Sequence, residues 1–240
     1  MSGNTALHDC AESGSLDIMK LLFAYGAVIE KDSYGLTPLL AAAVAGHARI
    51  VEYLTSLAQC SAADRIDALE LLGATYVDKK RDVASAAKVW KIAMLERQLL
   101  KPSSLRDMSS CPVAAYGSAE EPRSTGELAE MILEPDAVRM NALLVRERIL
   151  GPVHPDTAYY VRYRGAVYAD SGDFSRCIVL WTHAVDMQRK HLDPLSVATQ
   201  VLSATLVYLK YINTPVPSMC GRIKYSCHQI YASSHRGSTE

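Results

Sequence analysis

Histidines close to acidic side chains are the first candidates for chemistry in this sequence. His154 stands two residues before Asp156, a pairing that suits general acid–base catalysis, while His8 ends a Thr-Ala-Leu-His run and His47 follows a glycine. A turn between two helices explains His154 and Asp156 better, because a proline separates them. His8 and His47 occupy positions where helical repeats use histidine to brace a loop. We therefore predict a catalytic role for none of them.

Cysteine is the second residue type that could do chemistry. The six cysteines are scattered and form no Cys-x-x-Cys pair, so reduced thiols are expected. Cys10 and Cys177 are predicted to be small buried residues. One grouping near the C-terminus could suggest a metal site, namely Cys220, Cys227, His228 and His235. Because structural zinc sites keep closer ligand spacing, we expect no metal and no cofactor.

Basic side chains are concentrated in one stretch of the sequence. The arginines concerned are Arg139, Arg146, Arg148, Arg162 and Arg164. Such a group could bind an acidic peptide or a carboxylate. Acidic neighbours such as Glu147 dilute the charge, so a solvated, partly paired surface is favoured over a dedicated site.

Enzymes and polyanion-binding proteins are both disfavoured by the sequence as a whole. It contains no Gly-x-Ser-x-Gly, phosphate-loop or His-Glu-x-x-His motif, so we predict that the chain is not an enzyme. Its 25 basic and 26 acidic residues give a net charge of −1, which attracts neither nucleic acid nor a charged membrane. No apolar run approaches the roughly 20 residues of a membrane helix, and Met1 opens no signal peptide. We expect a cytoplasmic protein, with the nucleus as a second location.

The elements that would position these residues begin with an internal repeat. Thr5-Ala-Leu-His8 aligns with Thr37-Pro-Leu-Leu40 at an offset of 32 residues. Further matched pairs are Gly3 and Gly35, Ala11 and Ala43, Gly14 and Gly46, Ile18 and Ile50, and Leu22 and Leu54. A period near 33 with this opening is typical of ankyrin repeats, each a turn followed by two antiparallel helices.

Capping residues predict where the helices of the second ankyrin repeat begin and end. Thr37 is expected to cap the first helix, Pro38 to occupy its first position and Gly46 to end it. Residues spaced three and four apart predict the buried face of the second helix, namely Ile50, Val51 and Leu54.

A different repeat begins near Asp64. Gly73-Ala-Thr-Tyr-Val-Asp78 resembles Gly165-Ala-Val-Tyr-Ala-Asp170, and Trp90 corresponds to Trp181. Both stretches follow the tetratricopeptide order, the first with one residue inserted. They predict two related helix hairpins in which glycine lets the helices approach and tryptophan is buried.

The predicted fold is an all-α helical-repeat solenoid, with ankyrin repeats followed by tetratricopeptide-like helix hairpins. The segments are two ankyrin repeats at 1–60, a tetratricopeptide-like hairpin at 64–100, an irregular linker at 101–135, tetratricopeptide-like helices at 136–190 and a divergent, partly disordered tail at 191–240. Prolines and clustered serines predict the linker. Asn141–Leu150 is predicted as a helix ended by Gly151, with Asp156 or Thr157 capping the next one. In the tail, Val197–Ile212 could form one apolar helix.

Ankyrin repeats generally bind ligands at their turn tips and inner helix faces. The candidate residues for binding a protein or peptide are therefore Asp9, Glu12, Lys31, Asp32, Ser33 and Tyr34. A solvated turn and an ordinary helix surface explain the same residues equally well. Three repeats are usually needed for a stable stack, so the following helices are expected to complete it.

Several longer runs resemble the Fem (feminization) family. They are Thr5–Asp17, Ala68–Thr75, Val145–Pro152 and Arg164–Gly172, and the resemblance covers residues 4–195. It implies a substrate receptor of cullin-2 RING ubiquitin ligases that reads C-terminal degrons, often arginine-ended, through its ankyrin stack. Where the docking region is present, elongin B/C and cullin-2 are the implied partners. The implied mechanism is proximity and not chemistry.

The chain also departs from the family's pattern. We expect it to be truncated at both ends, because earlier ankyrin repeats are missing and Thr205–Lys210 lacks the cysteine of an elongin-binding box. No degron-contacting or elongin-contacting residue can therefore be carried over. The alternative function is a general interaction scaffold or co-chaperone, built from the same repeats and not linked to ubiquitin.

Overall fold

The computed structural model describes residues 3–100 and 113–191. Its α-helices are α1 (Ala6–Ser13), α2 (Leu16–Ala24), α3 (Pro38–Ala45), α4 (Ala48–Thr55), α5 (Ala62–Thr75), α6 (Val83–Gln98), α7 (Thr125–Leu133), α8 (Pro135–Leu150), α9 (Pro155–Asp170) and α10 (Phe174–His191). No strand occurs in these two ranges, and the all-α helical-repeat fold is confirmed. The chain divides into two compact units, Met1–Gly151 and Pro152–Glu240.

The two ankyrin-type helix pairs have the predicted ends. α1–α2 and α3–α4 begin 32 residues apart. The Thr37 hydroxyl accepts a hydrogen bond from the Leu40 amide at 3.4 Å, and Pro38 is the first residue of α3. Gly46 ends α3 at φ 85°, a conformation that favours glycine. Three side chains predicted to be buried are at most 2% exposed, namely Ile50, Val51 and Leu54.

Both ankyrin histidines are structural, as predicted. His8 is fully buried, and its Nε2 lies 3.0 Å from the carbonyl oxygen of Leu36. Since a carbonyl only accepts, Nε2 carries the proton and Nδ1 accepts from the Thr5 amide at 3.2 Å. His47 Nε2 lies 2.9 Å from the Glu12 carbonyl oxygen, which ties the second pair to the first.

α5 completes the ankyrin stack, as expected from the need for a third packing layer. Its N-terminus is capped by Ser61, whose hydroxyl accepts from the Asp64 amide at 3.1 Å. α3 packs against α1 on one side and α5 on the other, and α8 packs against α5 in turn. The small residues Ala42 and Ala43 of α3 are fully buried, so the helices approach closely.

The inserted residue of the first hairpin is accommodated by a π-helix. Trp90 follows Gly73 by 17 residues, whereas Trp181 follows Gly165 by 16. α5 runs directly into a π-helix at Tyr76–Lys80, and a π-turn is the usual way in which a helix absorbs one extra residue. The insertion seen in the sequence therefore has a definite place in the structure.

The π-helix also connects the two kinds of repeat. Lys79 Nζ donates to the Ala45 carbonyl at 3.1 Å, and Lys80 Nζ donates to the Gly46 carbonyl. Both carbonyls lie at the C-terminal end of α3, where helix carbonyls lack partners and a cation is favoured. The end of the ankyrin helix is thus held by lysines of the following hairpin.

The two hairpins share one packing unit. Trp90 and Trp181 are 4% and 6% exposed, which confirms that they are core residues. In each hairpin the indole N–H donates at 2.9 Å to the carbonyl three residues before the glycine. A Cβ atom on Gly73 or Gly165 would lie 2.3 Å from the indole ring, so neither position can hold a larger residue without movement.

The predicted irregular linker is partly wrong. A 3₁₀ turn occupies Ala114–Tyr116, and α7 occupies Thr125–Leu133. The Ser124 hydroxyl caps α7 by accepting from the Glu127 amide, and Leu128 is only 3% exposed. The prolines and serines predicted an irregular segment, but part of it is a short helix. Packing on α6 and α8 stabilises this helix.

The predicted grouping of residues 136–190 also differs from the structure. α8 ends at Gly151 as predicted, but it belongs to the first compact unit, whereas α9 and α10 form the described part of the second. The cap of α9 is His154, whose Nδ1 accepts from the Asp156 amide at 3.2 Å. Asp156 and Thr157 lie inside the helix, because Pro155 already occupies its first position. The predicted tail from residue 192 lies outside the described residues, and so do its cysteines and apolar segment.

Candidate functional site

The tip of the second ankyrin turn is organised by Asp32. Its Oδ1 accepts from the amides of Tyr34 at 2.9 Å and Leu36 at 2.8 Å. Its own amide donates to the Leu36 carbonyl at 2.9 Å, so the carboxylate is committed to holding the turn. Lys31, Ser33 and Tyr34 are exposed on this turn, with Tyr34 at 47%. The turn therefore presents a cation, a hydroxyl and an aromatic ring.

The two candidate acids of α1 lie on its exposed side. Asp9 and Glu12 are both exposed, and Glu12 Oε1 accepts from the side-chain amide of Asn4 at 3.3 Å. A Cβ on Gly3 would lie 3.0 Å from the Ser33 amide nitrogen, so residues 3–4 run beside the turn tip. The start of the first repeat thus links Glu12 to the tip, while the structure gives no direct contact between Asp9 and the tip.

These residues can offer charge, hydrogen bonds and an aromatic face, which suit a peptide or protein surface. Burial, together with the Asp9 carboxylate, raises the pKa of the Cys10 thiol, which favours its protonated form. Cys10 and Cys177 are buried free thiols, as predicted.

In residues 3–100 and 113–191, no group of His, Cys, Asp or Glu could hold a metal ion. None of the described helices is long and apolar enough to cross a membrane.

The predicted arginine surface is wrong for its central members. Arg146 is fully buried, and its Nη2 lies 3.5 Å from Asp78 Oδ2 in the π-helix. The side chain of Arg148 is only 5% exposed, and Arg164 is buried as well. Because they are buried, these arginines do not form an exposed basic surface. The sequence predicted that Arg146 and Arg148 are solvated, because acidic residues lie next to them. Their partners in the folded chain are instead acidic residues far away in the sequence.

Arg148 is the centre of a buried ion network that the sequence did not reveal. It donates to Glu70 Oε2 at 2.7 Å and to both carboxylate oxygens of Glu121, at 2.6 and 2.8 Å. Arg97 closes the network through Glu70 Oε1 at 2.7 Å. Burial disfavours the charged guanidinium, but hydrogen bonds to Glu121 and Glu70 outweigh it and raise the pKa of Arg148. The network joins α5, α6 and α8 to the segment before α7.

A buried tyrosine anchors that same segment. Tyr116 is 1% exposed, and its hydroxyl donates to Glu147 Oε2. Burial and the neighbouring carboxylate together raise the pKa of Tyr116 well above its ordinary value. Glu147 and Arg148 are adjacent on α8, so this one helix turn binds the segment at two points.

One cavity of about 410 Å³ lies beside this anchored segment. Its lining is mostly acidic and comprises Glu120, Glu121, Pro122, Arg123, Glu127, Glu130 and Met131. In the sequence, the cavity is marked by the density of glutamates between residues 120 and 130. These glutamates were interpreted as part of a linker and not as the lining of a concave surface.

Comparison with known proteins supports the repeat assignment. The family model described as "Ankyrin repeats (3 copies)" matches residues 2–65, which extend from α1 into the start of α5. The chain is 60% identical over 184 residues to protein fem-1 homolog C of Homo sapiens. It is 49% identical over 238 residues to protein fem-1 homolog A of Bos taurus, and 46% identical over 254 residues to protein fem-1 homolog A of Homo sapiens.

These matches cover most of the chain but little of the relatives. The homolog C match takes in 76% of this chain and 30% of the relative. The two homolog A matches take in 82% of this chain and 36% or 37% of the relatives. The chain thus spans about a third of the length of the curated relatives that it matches. Ankyrin repeats and this similarity make it a protein-binding repeat protein.

Proposed function

The chain is similar in sequence to the Fem-1 proteins over most of its length, and from that premise we propose that it is the substrate-binding part of a cullin-2 RING ubiquitin ligase receptor. In this role it binds the C-terminal degron of a substrate protein in the cytoplasm or nucleus. Elongin B/C and cullin-2 would connect it to the ligase. Ubiquitin transfer is then promoted by holding the substrate close to the conjugating enzyme.

The observation that carries the proposal is the exposed surface of the ankyrin repeats. We assign substrate binding to the surface formed by Asp9, Glu12 and the turn 31–34, where exposed acids lie on the first inner helix and a lysine and tyrosine lie on the turn. Carboxylates on a fixed helix suit a cationic peptide side chain, and the lysine suits a terminal carboxylate. Asp32 contributes by fixing the turn and not by direct contact.

The test is affinity purification of the tagged chain from proteasome-inhibited cells, followed by mass spectrometry. Recovery of elongin B/C and cullin-2 together with further proteins is the expected result, and it would mean that they dock at a site other than an elongin-binding box. Recovery of other proteins without any ligase subunit would contradict the ligase role and support the general scaffold or co-chaperone alternative.

Charge reversal locates the substrate surface in the same experiment. The double variant Asp9→Lys and Glu12→Lys is expected to lose the substrates but retain the ligase subunits. A matched double variant, Asp17→Lys and Glu52→Lys, changes the net charge equally but alters exposed residues of the outer helices α2 and α4. Equal substrate loss from both variants would show that this surface is not the binding site.

A further inference from the structure

The turn of the first helix hairpin carries three consecutive basic residues. All three are exposed, and we call them the basic turn, namely Lys79, Lys80 and Arg81. Burial raises the pKa of the adjacent Tyr76 hydroxyl, and the carboxylates of Asp82 and Glu52 add to this effect, so both acids lie close by. Three cations against these two acids leave the turn with an excess of positive charge.

The second hairpin shows that the fold does not require these charges. In the first hairpin the Asp82 amide donates to the Tyr76 carbonyl at 2.9 Å. In the second, the Asp173 amide donates to the Tyr168 carbonyl at 2.8 Å, so the two turns correspond. Where the first hairpin has the basic turn, the second has only Ser171-Gly172. A shorter, uncharged turn therefore connects the same kind of helix pair.

The basic turn also has an unfavourable backbone conformation. Arg81 has a φ of 55°, in the left-handed region that Gly172 occupies in the second hairpin with a φ of 87°. A residue with a Cβ atom is disfavoured there. The preceding residues, Tyr76–Lys80, form a π-helix, a rare element that is frequent at functional sites. An arginine at a position suited to glycine indicates that its side chain has a use.

The ankyrin stack holds two of the three cations in place. Lys79 Nζ donates to the Ala45 carbonyl at 3.1 Å, and Lys80 Nζ donates to the carbonyl of the next residue, Gly46. Lys80 Nζ also lies 4.9 Å from the centre of the Tyr76 ring. Because an ammonium group has three N–H donors, each lysine keeps donors for a further acceptor. Cations that are already positioned lose less side-chain entropy when a ligand binds.

Carboxylates are the ligands that suit this arrangement of ammonium and guanidinium groups. Nucleic acid would need many more phosphate contacts than one turn supplies. A single terminal carboxylate would leave most of the three charges unmatched. We propose that the basic turn binds an acidic segment of a partner protein through at least two side-chain carboxylates.

This inference is independent of the proposed function. The basic turn lies at the C-terminal end of α3, whereas the turn 31–34 precedes the N-terminal end of that helix. The basic turn also contains none of the residues to which we assign substrate binding. An acidic partner could therefore bind whether or not the chain serves a ligase.

The test measures binding of fluorescein-labelled hexaglutamate, with an amidated C-terminus, to the purified 240-residue chain by fluorescence anisotropy. Saturable binding that weakens with added salt is expected. The double variant Lys79→Gln and Arg81→Gly should bind about tenfold more weakly, because two exposed charge contacts are lost. Its midpoint of thermal unfolding should not fall, since glutamine can still donate to the Ala45 carbonyl and glycine suits the φ of residue 81.

The matched control is the double variant Arg189→Gln and Lys190→Gln, which removes the same charge from two consecutive exposed residues of α10. It should bind hexaglutamate as the wild type does. Absence of saturable binding to the wild type would overturn the proposal, and so would equal losses in the two double variants. Hexaserine with the same label and a free terminal carboxylate should not bind, and binding as tight as that of hexaglutamate would contradict recognition of acidic side chains.

Discussion

The ion pairs of this protein fall into two groups, which differ in how far their side chains are buried. Arg97, Glu70 and Arg148 share a network in which every side chain is at most 13% exposed. Arg65 and Glu96 form an equally short ion pair, at 2.8 Å, but their side chains are 38% and 30% exposed. Solvent screens the exposed pair, whereas removing one partner of the buried network leaves an uncompensated charge. The exposure of the two side chains, and not the distance between their charged atoms, therefore decides how much each ion pair contributes to the free energy of unfolding.

Glu70→Gln should lower the free energy of unfolding by about 3 kcal/mol, at the lower end for a broken buried pair because Arg148 keeps Glu121. Urea denaturation followed by circular dichroism measures the change. Glu96→Gln is the control and should cost less than about 1 kcal/mol. Equal losses from the two variants would show that burial does not strengthen the network.

Helix hairpins are the elements in which one packing unit occurs twice. In each hairpin the indole ring of a tryptophan packs on a glycine. The indole N–H donates a hydrogen bond to the backbone carbonyl three residues before that glycine. The first hairpin keeps this unit although its sequence is one residue longer, because the π-helix at Tyr76–Lys80 takes up the insertion beyond the glycine. The contact between the helices is thus conserved by a local change in helix geometry.

Gly73→Ala should destabilise the protein by about 1–3 kcal/mol, since the new methyl group would overlap the ring of Trp90. Gly126→Ala tests alanine in a helix without this contact, because the nearest atom to its Cβ is 3.8 Å away. That variant should gain about 0.5–1 kcal/mol from the lower backbone entropy of alanine. Thermal denaturation of both variants gives the comparison, and a neutral Gly73→Ala would contradict the packing unit.

At the scale of the whole molecule, one apolar core of the described residues lies inside the first compact unit. Every buried member of this core falls between Leu7 and Leu150, and α3, α5 and α8 supply much of it. The ankyrin repeats do not form a separate core, because α5 covers α3 and lysines of the π-helix bond its last carbonyls. The first unit is therefore expected to fold as one cooperative body.

A fragment comprising residues 1–151 should unfold cooperatively by itself. Trp90 is its sole tryptophan, so its emission should shift to the red in one transition as urea is added. A fragment of residues 1–60 is the control and should show no cooperative transition by circular dichroism, because it lacks α5 and two repeats rarely suffice. Cooperative folding of the shorter fragment would mean that the ankyrin pairs are independent of α5.

Much of the fold could be predicted from the sequence, because it rests on residue types at fixed local spacing. The 32-residue offset gave the ankyrin helix pairs, Thr37 and Gly46 marked the ends of α3, and the glycine and tryptophan positions marked the hairpins. The turn tip was located in the same way. That Asp32 uses its carboxylate to hold the turn required the structure, because an exposed and a turn-bonded aspartate look alike in sequence.

The tertiary structure alone decided which charged residues are interior. Arg148 meets Glu70, which is 78 residues away, and Glu121, which is 27 residues away, and no local pattern connects them. The same holds for α7, whose short helix is stable only against α6 and α8. Sequence spacing specifies local helices and their repeats. Burial of a charge depends on partners that only the folded chain brings together.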